Sequence, residues 1–550
     1  MKTNLMAARR AAMFTHALLI FSLLLFPVIG QTASKATQFI DKSRPVEKTG
    51  PIESSRLIVE ASLQTPRDFI EHAASQEADI HDIYFDLRPY EGTKTCLMCH
   101  EKEGAEMLDS GHFKWEGISK NIVGLEGESH GKNDLINNFC IANATNEQRC
   151  TQCHAGYGYR DASFDFTDPT NIDCLACHDQ TGTYKKDPKL AGLPAASVDL
   201  DAVAQSIRVG VEPTRKACIG CHAKAGGGDN VKHGDISTDL IATTREYDVH
   251  MGVDGADLTC VACHGANHDP KNGKVNHGIA GMPLHSANEG EMKQCSDCHG
   301  GRDGIHSGTS AEPMFAEGYH DRLTCQVCHI PAIARKISTK VEWYWSDAGQ
   351  NIDPIPVDPD TGRPTYDKKK GTFVWKNDVR PTLRYANGMW ERKVVLANDK
   401  YDQEPISLGN PVGSYEDSNA MIFPFKLMIG NQPVDPVTKT VLVPHLFGKA
   451  SGPNPYWGTY NWTDALIDGA AYTGQDFSGE HKFGDTTMLL SVNHEIAPAE
   501  NALGMGSNCG DCHSNDVIDW EALGWTDNPM AGGERVSSAP VQSTSSSSVE

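Results

Sequence analysis

Positive charge is scarce in this chain of 550 residues: 49 Lys and Arg stand against 72 Asp and Glu, a net charge of −23. That balance excludes nucleic acid and anionic membrane surfaces as partners held by general electrostatics. It also repels anionic substrates at long range, so an anion site needs Lys, Arg or a metal to reverse the field locally. Apolar residues are few as well, at 39%, while Gly (51) and Pro (29) are abundant. An aliphatic core of ordinary proportions is not available to such a chain. After Gly30 there is no long apolar run, which excludes a bundle of membrane helices. Unpatterned cysteine is almost missing: of 17 cysteines, only Cys140 lies outside one repeated motif.

That motif is Cys-x-x-Cys-His, and it occurs eight times. The copies are Cys96-Cys99-His100, Cys150-Cys153-His154, Cys174-Cys177-His178 and Cys218-Cys221-His222, then Cys260-Cys263-His264, Cys295-Cys298-His299, Cys325-Cys328-His329 and Cys509-Cys512-His513. Two thiols at this spacing each bond a vinyl group of one porphyrin, and the next imidazole reaches the iron, so the pattern reads as c-type haem attachment. A disulfide framework does not require His after every pair, and neither do zinc knuckles. The expectation is eight covalently bound haem c. Porphyrin faces then supply the apolar surface that the composition withholds. The fold class expected is a multihaem cytochrome c, mainly α with long irregular segments, a haem-dominated core and a few β-hairpins.

Residues 1–33 read as a signal peptide: Lys2, Arg9 and Arg10 precede an apolar stretch from Ala17 to Gly30 and a small-residue exit. The stretch is short for a membrane span, so export to the periplasm is preferred to an uncleaved anchor. Without these residues the net charge becomes −26, because they carry three basic and no acidic side chains. Residues 34–90 form an N-terminal arm, with a short helix expected over Leu63 to Ala74. Residues 91–335 form the haem body, with seven motifs, and the short gap from His154 to Cys174 suggests that the second and third haems are neighbours. Residues 336–508 are a motif-free excursion, 509–526 carry the eighth motif, and 527–550 drift into a Ser-rich tail read as disordered.

A helix is expected after the third motif, capped by Ser197, with Leu200, Val203, Ala204 and Ile207 on one face and Gly210 at its end. In the excursion, Lys340 to Trp345 and Thr372 to Trp375 flank the turn at Asp358 to Gly362. A similar pattern surrounds Asp435 to Thr438, with Val441 to Val443 after it, and both read as hairpins. The tryptophans Trp343, Trp345, Trp375, Trp390, Trp457 and Trp462 read as packing residues or haem neighbours.

An electron-carrying haem needs a second axial ligand. Fifteen histidines lie outside the motifs; with His16 in the signal and His72 and His81 in the arm set aside, twelve remain. Count alone therefore does not reveal a haem lacking a histidine partner. Lys232 and His233 are adjacent, and on an extended backbone their side chains point to opposite sides, so one segment can serve two haems. Lysine ligates iron only as a neutral amine, and a Lys beside His is more often a solvated charge. Cys140, ten residues before the second motif, is either a buried structural cysteine or a functional thiol.

Several longer segments carry a resemblance: Asn137 to Ala142, Cys150 to Gly158, Asn171 to Asp179, Gly226 to Asp235, Asp248 to Gly252 and Cys325 to Ala332. In these the chain resembles the octahaem tetrathionate reductases, which are related to pentahaem nitrite reductase and octahaem hydroxylamine oxidoreductase. The resemblance runs over roughly residues 92–515. It implies that the haem of the second motif is catalytic, with His154 on one side and Lys232 as the other ligand, and that Asp229, Asn137 and Cys140 belong to its active site. It also implies bis-His ligation elsewhere, for which His112, His233, His250, His268, His306, His320 and His494 are the expected distal set. His130, His277, His285, His445 and His481 stand in reserve. No motif is Cys-x-x-Cys-Lys, so the proximal lysine of pentahaem nitrite reductase is absent, and nothing supports a tyrosine cross-link of the hydroxylamine oxidoreductase kind.

The activity implied is that of a periplasmic oxidoreductase. Electrons would come from a redox partner protein, either a periplasmic cytochrome or a quinol-linked one at the membrane, and reduce a small sulfur or nitrogen species such as tetrathionate, nitrite or hydroxylamine. The alternatives are a non-enzymatic electron conduit, or oxidation of hydroxylamine or hydrazine.

Overall fold

The computed structural model describes residues 62–265, 277, 279, 292–309, 312, 315, 320–395, 399–514 and 517–536. The signal segment, the arm up to residue 61, the tail from 537, and His268 and His285 lie outside these residues. Among the described residues no helix is long and apolar enough to cross a membrane.

Helices are short, as the scarcity of apolar periodicity requires. The arm holds Pro66–Gln76, opened by a capping box between Thr65 and Asp68 with proline in the first turn, and Ile80–Leu87, capped by Asp79. The helix after the third motif spans only Leu200–Gln205. Asp199, not Ser197, caps it by accepting from the amide of Ala202, and it ends at Ser206 rather than Gly210. Its buried Val203 and Ala204 still pack with Leu200 and Ile207, so the apolar face is the one the spacing indicates.

Most motifs form one helical turn of their own, such as Leu175–His178, Val261–His264, Ser296–His299 and Gly510–His513. In each of these the histidine amide donates to the carbonyl of the first cysteine, at 2.8–3.1 Å. A helical turn places residues i and i+3 on one side, which brings both thiols to one porphyrin edge.

The excursion holds more sheet than the expected hairpins. After a small pair, β1 (Gly117–Ile118) and β2 (Ser129–His130), the chain builds one eight-stranded mixed sheet. Its strands are β3 (Thr339–Tyr344), β4 (Tyr366–Asp367), β5 (Gly371–Lys376), β6 (Thr382–Ala386), β7 (Trp390–Arg392), β8 (Ile406–Pro411), β9 (Met421–Val434) and β10 (Lys482–Ser491). The order is β4-β5-β3-β9-β10-β8-β7, with β6 also paired to β9. The expected strands around Asp358 do pair, β3 antiparallel to β5. The turn at Asp435 likewise closes, with Val434 opposite Val441. The fourteen-residue β9 was hidden because Phe423-Pro-Phe-Lys-Leu-Met lacks period-two alternation, as strands covered on both faces do.

The largest apolar cluster of the described residues belongs to this sheet: Trp343, Trp345, Phe373, Trp375, Met428, Val434, Met488 and Leu490 are all buried in it. Ile136, Phe139, Ile141 and Val231 join the same cluster. The segments before the second motif and after the fourth are thus anchored in the sheet, which makes the excursion the support for the site.

Candidate functional site

Seven of the eight motif histidines face a histidine from outside the motifs. Ring centres lie 6.0 Å apart for His81 and His100, 6.3 Å for His178 and His277, and 5.8 Å for His250 and His299. They lie 6.2 Å apart for His264 and His494, and 6.4 Å for His306 with His329 and for His320 with His513. His222 has two such neighbours, His112 at 6.1 Å and His233 at 6.4 Å. Two metal–imidazole bonds of about 2 Å, plus the depth of each ring, give about 6 Å between ring centres. The pairs therefore fit a metal held between them, and the adjacent cysteine pairs fit the attachment of its macrocycle.

The ring environments suit that role. Burial pushes His178 down to about 4 and His222 and His233 to about 3, so these imidazoles are neutral, the form that ligates metal. Carboxylates hold the Nδ1 side of others: Asp79 lies 3.1 Å from His81, Asp235 lies 3.2 Å from His494, and Glu106 lies 3.4 Å from His277. An imidazole fixed through Nδ1 presents Nε2 outward. His81 stood in the arm by sequence and His277 in reserve; nothing in their spacing marks them. The remaining reserves are placed differently. His130 has a carboxylate at each nitrogen, Asp134 at 2.7 Å and Glu128 at 3.3 Å. His445 is buried against Asp468 at 3.2 Å, and His481 lies beside Phe483.

Thiols of different motifs meet in pairs. Cysteines of different motifs lie close enough to act on each other's ionisation: Cys96 with Cys174, Cys153 with Cys221, Cys218 with Cys260 and Cys295 with Cys325. The second motif therefore meets the fourth through its thiols. The flanks of the second and third do pair at Gly156 and Ile172, and Lys186 clamps them, bonding Asp173 at 2.8 Å and the carbonyls of His154 and Gly156.

The second motif is unlike the rest. Its turn is a 3-10 helix over Thr151–Cys153, and the amide of His154 donates to Thr151, not to Cys150. The Thr151 hydroxyl bonds the carbonyls of Glu147 and Tyr159 and holds this tighter turn. His154 itself is 1% exposed, and among the described residues no histidine faces it. Its ring is enclosed by Phe113, Trp115, Tyr159, Phe164 and Phe166, and burial takes it down to about 3.

Three of the residues that the sequence reading gathers round this motif lie close to one another: Lys232, Asn137 and Cys140. Lys232 donates from Nζ to Oδ1 of Asn137 at 2.7 Å. Burial brings Lys232 down to about 8; the nearby Cys140 opposes this, while Arg392 and Lys132 add to it. Cys140 also acts on Cys150, which burial pushes up to about 12. The thiol thus lies close to both Lys232 and the second motif. The carboxylate of Asp229, three residues before Lys232, accepts from the amide and hydroxyl of Thr238, at 3.0 and 2.5 Å.

Cys140 sits on a tight turn. The amide of Asn137 donates to the carbonyl of Ile141 at 2.6 Å, and Phe139 and Ile141 both have positive φ, 71° and 54°. Non-glycine residues hold that conformation only under external constraint. Gln432 supplies one, donating to the carbonyl of Asn137 at 2.8 Å, and Asn138 another, donating to the carbonyl of Met428 at 2.9 Å. The Lys232 segment is clamped in the same way. Lys426, 1% exposed, donates to the carbonyls of Val231 and Lys232 at 2.9 and 3.0 Å and to the hydroxyl of Thr339 at 2.6 Å. Sequence reasoning missed Gln432, Asn138 and Lys426, whose partners lie some 200 to 300 residues away and leave no local pattern.

Comparison with known proteins agrees with the motif pattern. Residues 340–516 match the family described as "Cytochrome c bacterial". The fold is similar to the crystal structure of an octahaem cytochrome c from Shewanella oneidensis. The match has a TM-score of 0.71 and 36% identity, and covers 82% of this chain and 98% of that one. An uncharacterized protein of Archaeoglobus fulgidus is 29% identical over 232 residues, 33% of this chain and 76% of its own. Cytochrome c-554 of Nitrosomonas europaea is 26% identical over 109 residues, 19% of this chain and 44% of its own.

Proposed function

Because this chain belongs to the multihaem c-type cytochrome family of that octahaem protein, we propose that it is a periplasmic octahaem reductase. Its substrates are tetrathionate, nitrite or hydroxylamine, reduced at the second motif with electrons from a redox partner protein. When bound, haem supplies one-electron storage and transfer along the chain and, at the second motif, a metal centre for small oxidised sulfur or nitrogen species.

The observation that carries this reading is the exception among the motif histidines. A pure conduit has reason to give every motif histidine a histidine partner; His154 instead lies among aromatic rings, and Lys232, Asn137 and Cys140 gather beside its motif. Lys232 is the proposed second ligand there. Its lowered pKa makes the neutral amine accessible near neutral pH, as ligation requires. Asn137 orients it. His81, His277, His250, His494, His306, His320 and one of His112 and His233 are the proposed distal ligands of the other seven, and His268 lies outside the described residues.

For tetrathionate, the proposed route is nucleophilic attack by the Cys140 sulfur on the central S–S bond. That attack forms a Cys140 thiosulfate mixed disulfide and releases one thiosulfate; two electrons then return the thiolate and release the second. A thiol route leaves both His154 and Lys232 in place.

The test is a spectroscopic census of axial ligands on the purified holoprotein, with turnover of all three substrates by a reduced donor. One lysine-ligated and seven bis-His haems with turnover support the reading. Bis-His ligation throughout, or no turnover with any substrate, retires it in favour of a conduit.

A further inference from the structure

Among the described residues, Arg392 is a buried cation without a partner. It is 8% exposed, and its Nε and Nη1 atoms are buried with no hydrogen-bond acceptor among those residues. Burial takes it down to about 10, with no described carboxylate opposing the shift. A guanidinium taken out of water and left unpaired is costly, and is retained where something supplies the missing negative charge.

Its position in the fold says where that charge would sit. Residues 134–136 run antiparallel to 393–395: the amide of Val395 donates to Asp134 at 2.6 Å, Leu135 stands opposite Val394, and the amide of Ile136 donates to Lys393 at 2.9 Å. Asn137 and Arg392 follow next on the two segments, where Asn137 turns to bridge Ile141. Arg392 thus stands one residue beyond the pairing that leads into Asn137, the side chain that holds Lys232, and its charge acts on Lys232. On the β8 side the guanidinium lies over Gly409, where a Cβ would stand 2.4 Å from Nη1 and displace it from this position. Lys132, with Nζ 4.4 Å from the ring centre of Trp115, adds a second positive charge that acts on Lys232 and on Cys150.

We propose that Arg392, with Lys132 behind it, forms an oxyanion-binding subsite beside the Lys232 segment that Cys140 also neighbours. It reverses locally the repulsion of a chain with net charge −23 and selects anionic over neutral substrates. The guanidinium fork matches two oxygens of a sulfonate or nitrite group. This deepens the reductase reading, since it names the charge class that the site admits. The same chemistry is met by a porphyrin propionate, and the test separates the two sources.

The experiment is equilibrium titration of the oxidised holoprotein with thiosulfate by calorimetry, beside a redox titration of the haems. One thiosulfate should bind per chain, and Arg392→Gln should weaken it at least tenfold with the midpoint potentials unchanged. Unchanged thiosulfate affinity in that variant, with or without a shifted potential, overturns the proposal; a shift would assign the guanidinium to a propionate. Absence of thiosulfate binding by the native protein overturns it as well. Should Arg392→Gln not accumulate, Arg392→Lys keeps the charge and loses the fork. Severalfold weaker binding there supports the proposal, and unchanged affinity overturns it. Binding is read without turnover. A protein that binds thiosulfate through Arg392 but reduces none of the three substrates would retire the reductase reading alone.

Discussion

Asn138, twelve residues before the first cysteine of the second motif, donates from Nδ2 to the carbonyl of Met428, 290 residues further along the chain. Its Oδ1 accepts from Gln432 at 3.3 Å and from the Thr486 hydroxyl at 3.1 Å. Through this one side chain β9 and β10 fix the turn that presents Cys140. Each of these bonds is buried, so losing them leaves several groups unsatisfied. Asn138→Ala should destabilise the holoprotein by about 2 kcal/mol and lower tetrathionate turnover. Thermal unfolding together with a tetrathionate assay checks this; native stability in the variant would remove the clamp.

Lys426 plays the corresponding part for Lys232. Lys426→Met removes donors to two carbonyls and one hydroxyl while keeping an apolar stem of similar length. The expected outcome is a loss of about 2 kcal/mol and a broadened or altered spectrum at one haem, with the bis-His signals unchanged. An unaltered haem spectrum would show that Lys426 does not position the lysine.

Lys232→Leu should change the spectrum of one haem and leave seven bis-His signals as they are. The side chain keeps similar bulk and loses the amine that Asn137 holds. Low-temperature electron paramagnetic resonance makes the comparison. A native low-spin spectrum in the variant excludes Lys232 as a ligand.

Cys140→Ser should separate the two substrate chemistries. Tetrathionate can be opened by thiolate attack, whereas nitrite and hydroxylamine need a metal site. Tetrathionate turnover should fall at least tenfold more than that of the nitrogen substrates. Equal losses with all three, or none, would leave Cys140 a packing residue.

Glu147 gives a pH signature. It is 4% exposed, Tyr472 donates to its Oε1 at 3.0 Å, its Oε2 has no partner, and burial raises it to about 7. A carboxyl raised on folding contributes stability that is complete below its unfolded value and lost as pH rises through its folded one. From pH 5 to 8 the native protein should therefore lose stability that Glu147→Gln retains. The difference should approach about 3 kcal/mol at pH 8. Parallel melting curves for the two proteins across this range would contradict it.

The cofactor class was legible from the sequence because Cys-x-x-Cys-His is a local requirement: two thioether positions and an imidazole lie within one helical turn, and no tertiary contact alters that. The polar, loop-rich character and the short helices followed from the same scarcity of apolar residues. Lys232, Asn137 and Cys140 were reached by resemblance, and the structure brings them together. Only the tertiary structure paired His81 with His100 and His277 with His178, since any exposed histidine has the same local look. It alone joined Asp229 to Thr238 and left Arg392 buried without a counter-charge among the described residues. It also made the motif-free segment the frame of the site, through β9, whose two-sided burial erases the alternation by which a strand is read. Chemistry carried by neighbours in sequence is written in the sequence; chemistry carried by groups hundreds of residues apart is decided by which surfaces pack together.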